Sequence, residues 1–394
     1  MAMSGGIDST VAAMLLLEQG YELVGCTFRT YDSIKESCLA REKGCCSVES
    51  IMEAKHMAER LGFPHHIVDF RDVFRREVIG NFISEYLHGR TPNPCVLCNS
   101  HIKWGVLTDV ADQYGCDYIA TGHYARIAEH DSRLFLRTAV DTRKDQTYFL
   151  WMLTQDNLRR TLFPLGAYTK PEVRAMAAER GYVRLSQKVE SQDICFVPDG
   201  DYRAFLTREC SPDDCARAFA QGDYVDAEGR VLGRHSGYAN YTIGQRKGLG
   251  VALGEPAYVT RIDPDANTVT LGRHDDLLTC RIPLRDVRFF GDPSQPILAR
   301  IRYRSAPILA TWDATPPPTT ATWDAGSLSR SQTAPANRRY TATSHSTTAT
   351  LRTAEPVWGV TPGQSCVLYQ DELLVGGGII SVAPNEPGTN LKRS

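Results

Sequence analysis

The chain has 394 residues, more than one compact core usually supports, so two or three domains are expected. Its 42% hydrophobic and 23% charged residues exclude a fibrous or broadly disordered protein, and apolar runs such as Val11 to Leu17 fall far short of the ~20 residues that span a bilayer. Forty-four basic against 46 acidic residues give a net charge of −2, which neither demands nor excludes a nucleic-acid partner, because a local patch can be basic on a neutral chain. Met1-Ala2-Met3 carries no basic leader, so a cytosolic protein is expected; there the 12 cysteines stay reduced unless they do chemistry or bind metal.

In chain order, Ile7, Val11, Met14 and Leu15 share one helical face, and Gly20 can end that helix. Tyr21 to Phe28 reads as a buried strand, Val48 to Leu61 as helix, His66 to Phe70 as strand and Val73 to Leu87 as helix. Ile102 to Tyr114 then reads as helix and Tyr118 to Thr121 as strand. Such alternation predicts a parallel α/β sheet covered on both faces. Residues from about 156 to 215 look mostly helical, in Pro171 to Gly181 and Tyr202 to Arg208. Beyond about 220, short alternating segments (Ala257 to Ile262, Thr268 to Leu271, Ala299 to Tyr303, Ser365 to Tyr369) predict small β-barrels or sandwiches. A Thr, Ala, Ser and Pro-rich tract lies between Ser305 and Glu355, with Ala310-Thr-Trp-Asp-Ala echoed from Ala321. Its middle, about 314–350, reads as a flexible insertion without catalytic work.

Three motifs carry chemistry. Ser4-Gly5-Gly6-Ile7-Asp8-Ser9 opens directly into the first helix: two glycines let backbone N–H groups approach an anion, the serines add hydroxyls, and the helix N-terminus adds partial positive charge. A pyrophosphate suits it. The Gly-Lys-Ser/Thr ending of an ordinary NTPase loop is missing, and a plain helix cap is the bland alternative. Thr91-Pro92-Asn93-Pro94-Cys95-Val96-Leu97-Cys98-Asn99, followed by His101, Lys103 and Trp104, puts a Cys-x-x-Cys at a helix start, where thiolate is favoured. Half of a zinc site, a buried structural thiol pair and a redox or sulfur-handling thiol all remain open. In Ser191-Gln192-Asp193-Ile194-Cys195-Phe196 the cysteine is either packing or the partner thiol that persulfide or disulfide chemistry needs.

These motifs occur in one order with Ala120 to Arg126 (ATGHYAR), Lys144-Asp145-Gln146, Tyr241 to Gly250 (YTIGQRKGLG), Arg302-Tyr303-Arg304 and Thr361-Pro362-Gly363-Gln364-Ser365. As an ordered set they resemble the tRNA-specific 2-thiouridylases over nearly the whole chain apart from the insertion. The resemblance implies an N-terminal adenine-nucleotide hydrolase-like (ATP pyrophosphatase) domain with a helical extension over 1–205. A small β-rich domain over 206–283 and a C-terminal β-barrel over 284–385 would follow. It implies ATP held by Ala2, Met3, Ser4, Gly5, Gly6, Ile7, Asp8 and Ser9, with Gly122 beside the nucleotide and an adenine contact near Arg29. Cys98 would be the active-site thiol and Cys195 the persulfide carrier, the two forming a transient disulfide. Asn93, Pro94 and Cys95 would face the target base, and His123, Lys144, Asp145, Gln146, Arg302, Tyr303 and Gln364 would meet tRNA.

The implied reaction is ATP-dependent 2-thiolation of the wobble uridine in tRNAs of the Glu, Gln and Lys type, in the cytoplasm. Mg²⁺ would help neutralise the phosphates, and a cysteine desulfurase or relay protein would supply sulfur. Two departures matter. Many members have Asp where this chain has Cys95, so a proton-transfer role for that carboxylate does not carry over, and Cys95, Cys98 and Cys195 together suggest an iron–sulfur cluster as an alternative. Members also have a strand of several residues before Ser-Gly-Gly, in mid-sheet, where only Met1-Ala2-Met3 stand here; a start assigned too late is the expectation, with a genuinely truncated protein as the alternative. Rival readings are another ATP-pyrophosphatase, which needs no Cys98/Cys195 pair, and a non-enzymatic RNA- or metal-binding protein, which needs no phosphate loop.

Overall fold

The computed structural model describes residues 1–31, 48–187, 194–197, 200–251, 253–313 and 347–382. Of the expected insertion at about 314–350, residues 314–346 lie outside them, as do Ser191, Gln192 and Asp193, while Ala349 and Thr350 open the strand Ala349–Trp358.

The first unit is built on parallel strands. Gly25–Arg29 pairs in parallel with His65–Asp69, and Ile119–Ala120 with Thr161–Leu162. Met1 to Met3 bind these pairs together: Ala2 bridges Cys26 in parallel, Met3 N donates to Cys26 O at 2.8 Å, and Ala2 N donates to Ala120 O at 2.8 Å. The mid-sheet position expected of the family's first strand is therefore occupied by these three residues. Helix α1 (Ile7–Glu18) follows at once and is covered on two sides. Ile7, Val11, Ala12 and Leu15 pack on Leu165, Val173 and Ala177, while Ala13 packs with Met3, Ala54, Ala58 and Phe63. That double burial explains why α1 is apolar nearly all round.

The expected strand from Tyr21 begins only at Gly25. The hairpin Arg126–His130 and Arg133–Arg137 is absent from the sequence reading. Its turn needs left-handed backbone at Asp131 (φ 48°) and Ser132 (φ 60°), a conformation Asp tolerates better than most residues.

The middle unit is a four-stranded sheet in the order Val231–His235, Gly222–Val225, Thr268–Gly272, Tyr258–Asp263, packed around Tyr224, Tyr238, Tyr241, Val259 and Val269. A disulfide joins Cys210 to Cys215 just before it. The last unit is a closed barrel. Its strands run Leu278–Phe289, Ala349–Trp358, Ile308–Trp312, Ile297–Arg300, Ser365–Gln370 and Leu373–Ile380, the last pairing back onto the first. Closure removes free sheet edges. The expected boundary at 283/284 falls inside its first strand, and the 126–137 hairpin of the first unit extends the barrel sheet by pairing Arg137 with Leu373. Barrel and first unit share a core in which Val96, Trp104, Tyr148 and Trp151 pack with Val367, Tyr369 and Leu374. Burying each such side chain stabilises the junction by roughly 1.5–3 kcal/mol.

Candidate active site

A cavity of about 370 Å³ opens where three neighbouring parallel strands end. Met3 leads into Ser4, the strand Gly25–Arg29 contributes Thr27 and Phe28 and leads to Thr30, and Ala120 leads to Thr121, Gly122 and His123. Carboxyl ends of adjacent parallel strands are where open α/β sheets take their ligands. The opposite wall carries Pro94, Cys95, Cys98, Asn99 and Lys103, with Ile194, Cys195 and Phe196 beside it.

The phosphate-type loop has the open donors that such a role needs. Gly6 is the N-cap of α1 and makes no side-chain cap bond, so the first-turn amides are left without a side-chain acceptor. Gly5 sits at φ 67°, and a Cβ there would lie 2.4 Å from Ser50 O, so only glycine fits. Ser9 Oγ lies 3.4 Å from Ser4 Oγ and donates to Gly6 O at 3.1 Å. A Cβ on Gly122 would meet Ser9 N at 2.8 Å, which brings the 121–123 turn directly onto the head of α1. Lys170 Nζ (2.6 Å) and the Tyr124 hydroxyl (2.8 Å) both donate to Asp8 Oδ1. Neither was singled out from the sequence; they lie 162 and 116 residues from Asp8, with no local signal pointing to it.

The thiol wall is one continuous helical run: α-helical over Pro94–Leu97, π-helical over Cys98–Val106, α-helical again over Leu107–Gln113. Long π segments are rare and cluster at functional sites. Cys95 presents surface to the cavity while protein surrounds it, and that burial pushes its thiol pKa up, with the nearby Lys103 charge pulling the other way. His123 is held well below its usual 6.5, first by burial and then by Lys103. It is a neutral imidazole, with Nδ1 2.7 Å from Thr121 Oγ1 and Nε2 3.4 Å from Lys103 Nζ.

Of the residues expected at the site, Ala2, Met3, Ser4, Asp8, Ser9, Pro94, Cys95, Cys98, Gly122, His123, Gln146 and Cys195 converge on this cavity, with Gly5, Gly6 and Ile7 building its loop. Arg29 does not line it, although Phe28 and Thr30 on either side do. Several residues expected at tRNA also make bonds within the protein. Asp145 is 3% exposed and accepts from Ala139 N and Thr147 Oγ1, its pKa raised by burial against those bonds and Arg300. Arg302 donates to Gly359 O at 2.7 Å and to Thr361 Oγ1 at 3.1 Å. Gln364 Nε2 donates to both Thr91 O and Pro92 O at 3.0 Å, holding the loop before Cys95. Tyr303 packs its ring 4.4 Å from that of Phe149, a cavity residue absent from the sequence reading. Asn93 caps nothing with its side chain, which bonds Tyr148, and Lys144 sits in the turn after Asp141.

Among the described residues no three His, Cys, Asp or Glu side chains are grouped as metal ligands, Cys95, Cys98 and Cys195 included. Among the described residues these three thiols therefore do not stand together as the ligand set an iron–sulfur cluster takes. No described helix is long and apolar enough to cross a membrane.

Comparison with known proteins places this geometry. Residues 1–199 match the tRNA methyl transferase HUP domain, 215–273 the tRNA methyl transferase PRC-barrel domain and 310–380 the aminomethyltransferase beta-barrel domain. The tRNA-specific 2-thiouridylase MnmA of Salinibacter ruber is 43% identical over 387 residues, covering 96% of this chain and 93% of that protein. This chain belongs to the tRNA 2-thiouridylase family. The namesake from Desulfitobacterium hafniense is 42% identical over 96% of this chain and 97% of its own, and that from Amoebophilus asiaticus 53% identical over 70% and 73%. The HUP, PRC-barrel and β-barrel modules of a 2-thiouridylase correspond to the parallel-sheet unit, the four-stranded unit and the closed barrel described above.

Proposed function

We propose that this protein replaces the C2 oxygen of the wobble uridine of tRNA by sulfur, using ATP and a persulfide on Cys195. The observation that carries the reading is the single cavity in which the Ser4–Ser9 loop, Cys98 and Cys195 meet. Oxygen at C2 is a poor leaving group. Attack of that oxygen on the α-phosphorus of ATP expels pyrophosphate and turns it into the leaving group AMP. Open amides at the head of α1 and the Ser4 and Ser9 hydroxyls suit the phosphates. Asp8 is already engaged by Lys170 and Tyr124, so Mg²⁺ would ride mainly on the phosphates and neutralise their charge.

The terminal sulfur of the Cys195 persulfide then bonds to C2 and AMP departs. Cys98 attacks the Cys195 sulfur, breaking the sulfur–sulfur bond and leaving 2-thiouridine with a Cys98–Cys195 disulfide, which an external thiol reduces for the next turnover; alternatively Cys98 assists the attack without forming it. tRNAs of the Glu, Gln and Lys type are the proposed substrates, and a cysteine desulfurase or relay protein the proposed sulfur source.

The test is incubation with ATP, Mg²⁺, a persulfide source and unmodified tRNA, followed by mass spectrometry for 2-thiouridine. Cys98→Ser and Cys195→Ser should each abolish 2-thiouridine yet keep tRNA-dependent pyrophosphate release. Wild-type protein that makes neither product refutes the reading, and thiolation by Cys195→Ser removes the persulfide.

A further inference from the structure

Lys103 is the only cationic side chain among the described residues lining the cavity. Its hydrogen-bond partner is the neutral His123, and among the described residues no carboxylate is paired with it. A half-buried ammonium facing a largely apolar cavity is costly unless an anion or a growing negative charge meets it. The phosphate loop has its own cation in Lys170, on the far side of Asp8. Lys103 instead shares the helical run of Cys95 and Cys98. In an α-helix a spacing of five residues turns a side chain by roughly 140° away. The i→i+5 hydrogen bonding of the Cys98–Val106 segment winds more slowly and brings Lys103 round to the Cys98 wall.

Asn99, one helical turn before Lys103, is 3% exposed and also lines the cavity. Its Nδ2 donates to Phe149 O at 3.0 Å, which fixes the amide orientation, and its Oδ1 has no partner. A buried carbonyl oxygen without a donor is destabilising, and a ligand N–H would relieve that.

We infer that Asn99 and Lys103 form the pair that engages the target pyrimidine, Asn99 Oδ1 accepting from its N3–H and the Lys103 ammonium meeting its O2. The inference rests on the thiolation reading above. In the activating step the N3 proton leaves to solvent, which places negative charge on O2, and O2 then bonds to the α-phosphorus as the bond to pyrophosphate breaks. Negative charge passes through O2 on the way, so Lys103 acts in the transition state. Asn99 acts in the ground state, favouring uracil, whose N3 donates, over cytosine, whose N3 accepts.

The experiment follows tRNA-dependent pyrophosphate release together with ATP and tRNA affinities. Lys103→Met should lower kcat by about 10²-fold, the usual effect of removing one preorganised charge-stabilising donor. ATP affinity without tRNA and tRNA affinity should stay within about threefold, and Lys103→Arg should recover part of the rate. An anticodon stem-loop carrying 3-deazauridine, which lacks the N3–H, should bind wild type about 10-fold more weakly than uridine, and Asn99→Leu should bind both alike. Equal binding of the two stem-loops by wild type, or a Lys103→Met rate within threefold of wild type, overturns the inference while leaving thiolation standing. Loss of ATP affinity in Lys103→Met without tRNA also overturns it, by moving Lys103 to the nucleotide. A wild type without tRNA-dependent pyrophosphate release removes the thiolation reading and this inference with it.

Discussion

Gln364→Glu tests whether the barrel positions the thiol helix. Gln364 Nε2 donates to Thr91 O and Pro92 O at 3.0 Å each, and Thr91 N donates back to Pro362 O at 2.8 Å. These bonds tie the barrel turn 361–364 to the loop that leads into the helix at Pro94. Glutamate has the same shape but, ionised, turns two donors into acceptors aimed at two carbonyls. Losing two hydrogen bonds costs about 1–3 kcal/mol, and facing carbonyls with a carboxylate adds to that. A loosening of ~2 kcal/mol raises the undocked population of the loop roughly 30-fold. Amide hydrogen exchange at Thr91 should accelerate by that order while the melting temperature moves little, and the thiolation rate should fall. Lowering the pH protonates the introduced carboxyl, which then donates one bond, so exchange and activity should partly recover; Gln364→Ala should show the loss without that recovery. Wild-type exchange at Thr91 in Gln364→Glu, with full thiolation, would refute the clamp.

Two further outcomes are expected. Gly122→Ala should weaken ATP binding at least 10-fold and lower the melting temperature, because its Cβ would press within 2.8 Å of Ser9 N at the head of α1; such overpacking costs about 1–3 kcal/mol. Isothermal titration with ATP checks it, and unchanged affinity would mean the turn relaxes freely. His123 has its folded-state pKa depressed below 6.5 by burial, so the unfolded chain takes up that proton first. Its contribution to stability is therefore present above about pH 6.5 and is lost as pH falls through the folded value. Urea unfolding at pH 5 and 7.5 should show a smaller pH difference in His123→Gln than in wild type; an equal difference would place the acid sensitivity on His65, His101 and His235, which are depressed likewise.

The sequence alone was enough for the features whose cause is local. Apolar spacing places α1 and the helix Val48–Leu61, and Gly5 announces a backbone that no side chain permits. The motif order points to the family, and Cys98 and Cys195 to sulfur chemistry. What only the tertiary structure decided depends on partners far along the chain. Strand ends at Met3, the Thr27–Thr30 stretch and Ala120 meet at one cavity because the parallel order brings them side by side, and no stretch of sequence encodes that adjacency. Asp145, Arg302 and Gln364 are expected at tRNA from the motif order, but their partners within the protein reach as far as 273 residues away, so only the fold could show those bonds. The helical run from Pro94 could be expected from its Pro-Cys start. Its π segment could not. Packing on both sides, with Val96 and Trp104 held in the barrel junction and Cys98, Asn99 and Lys103 facing the cavity, goes with the wider winding and decides which side chains share the thiol face.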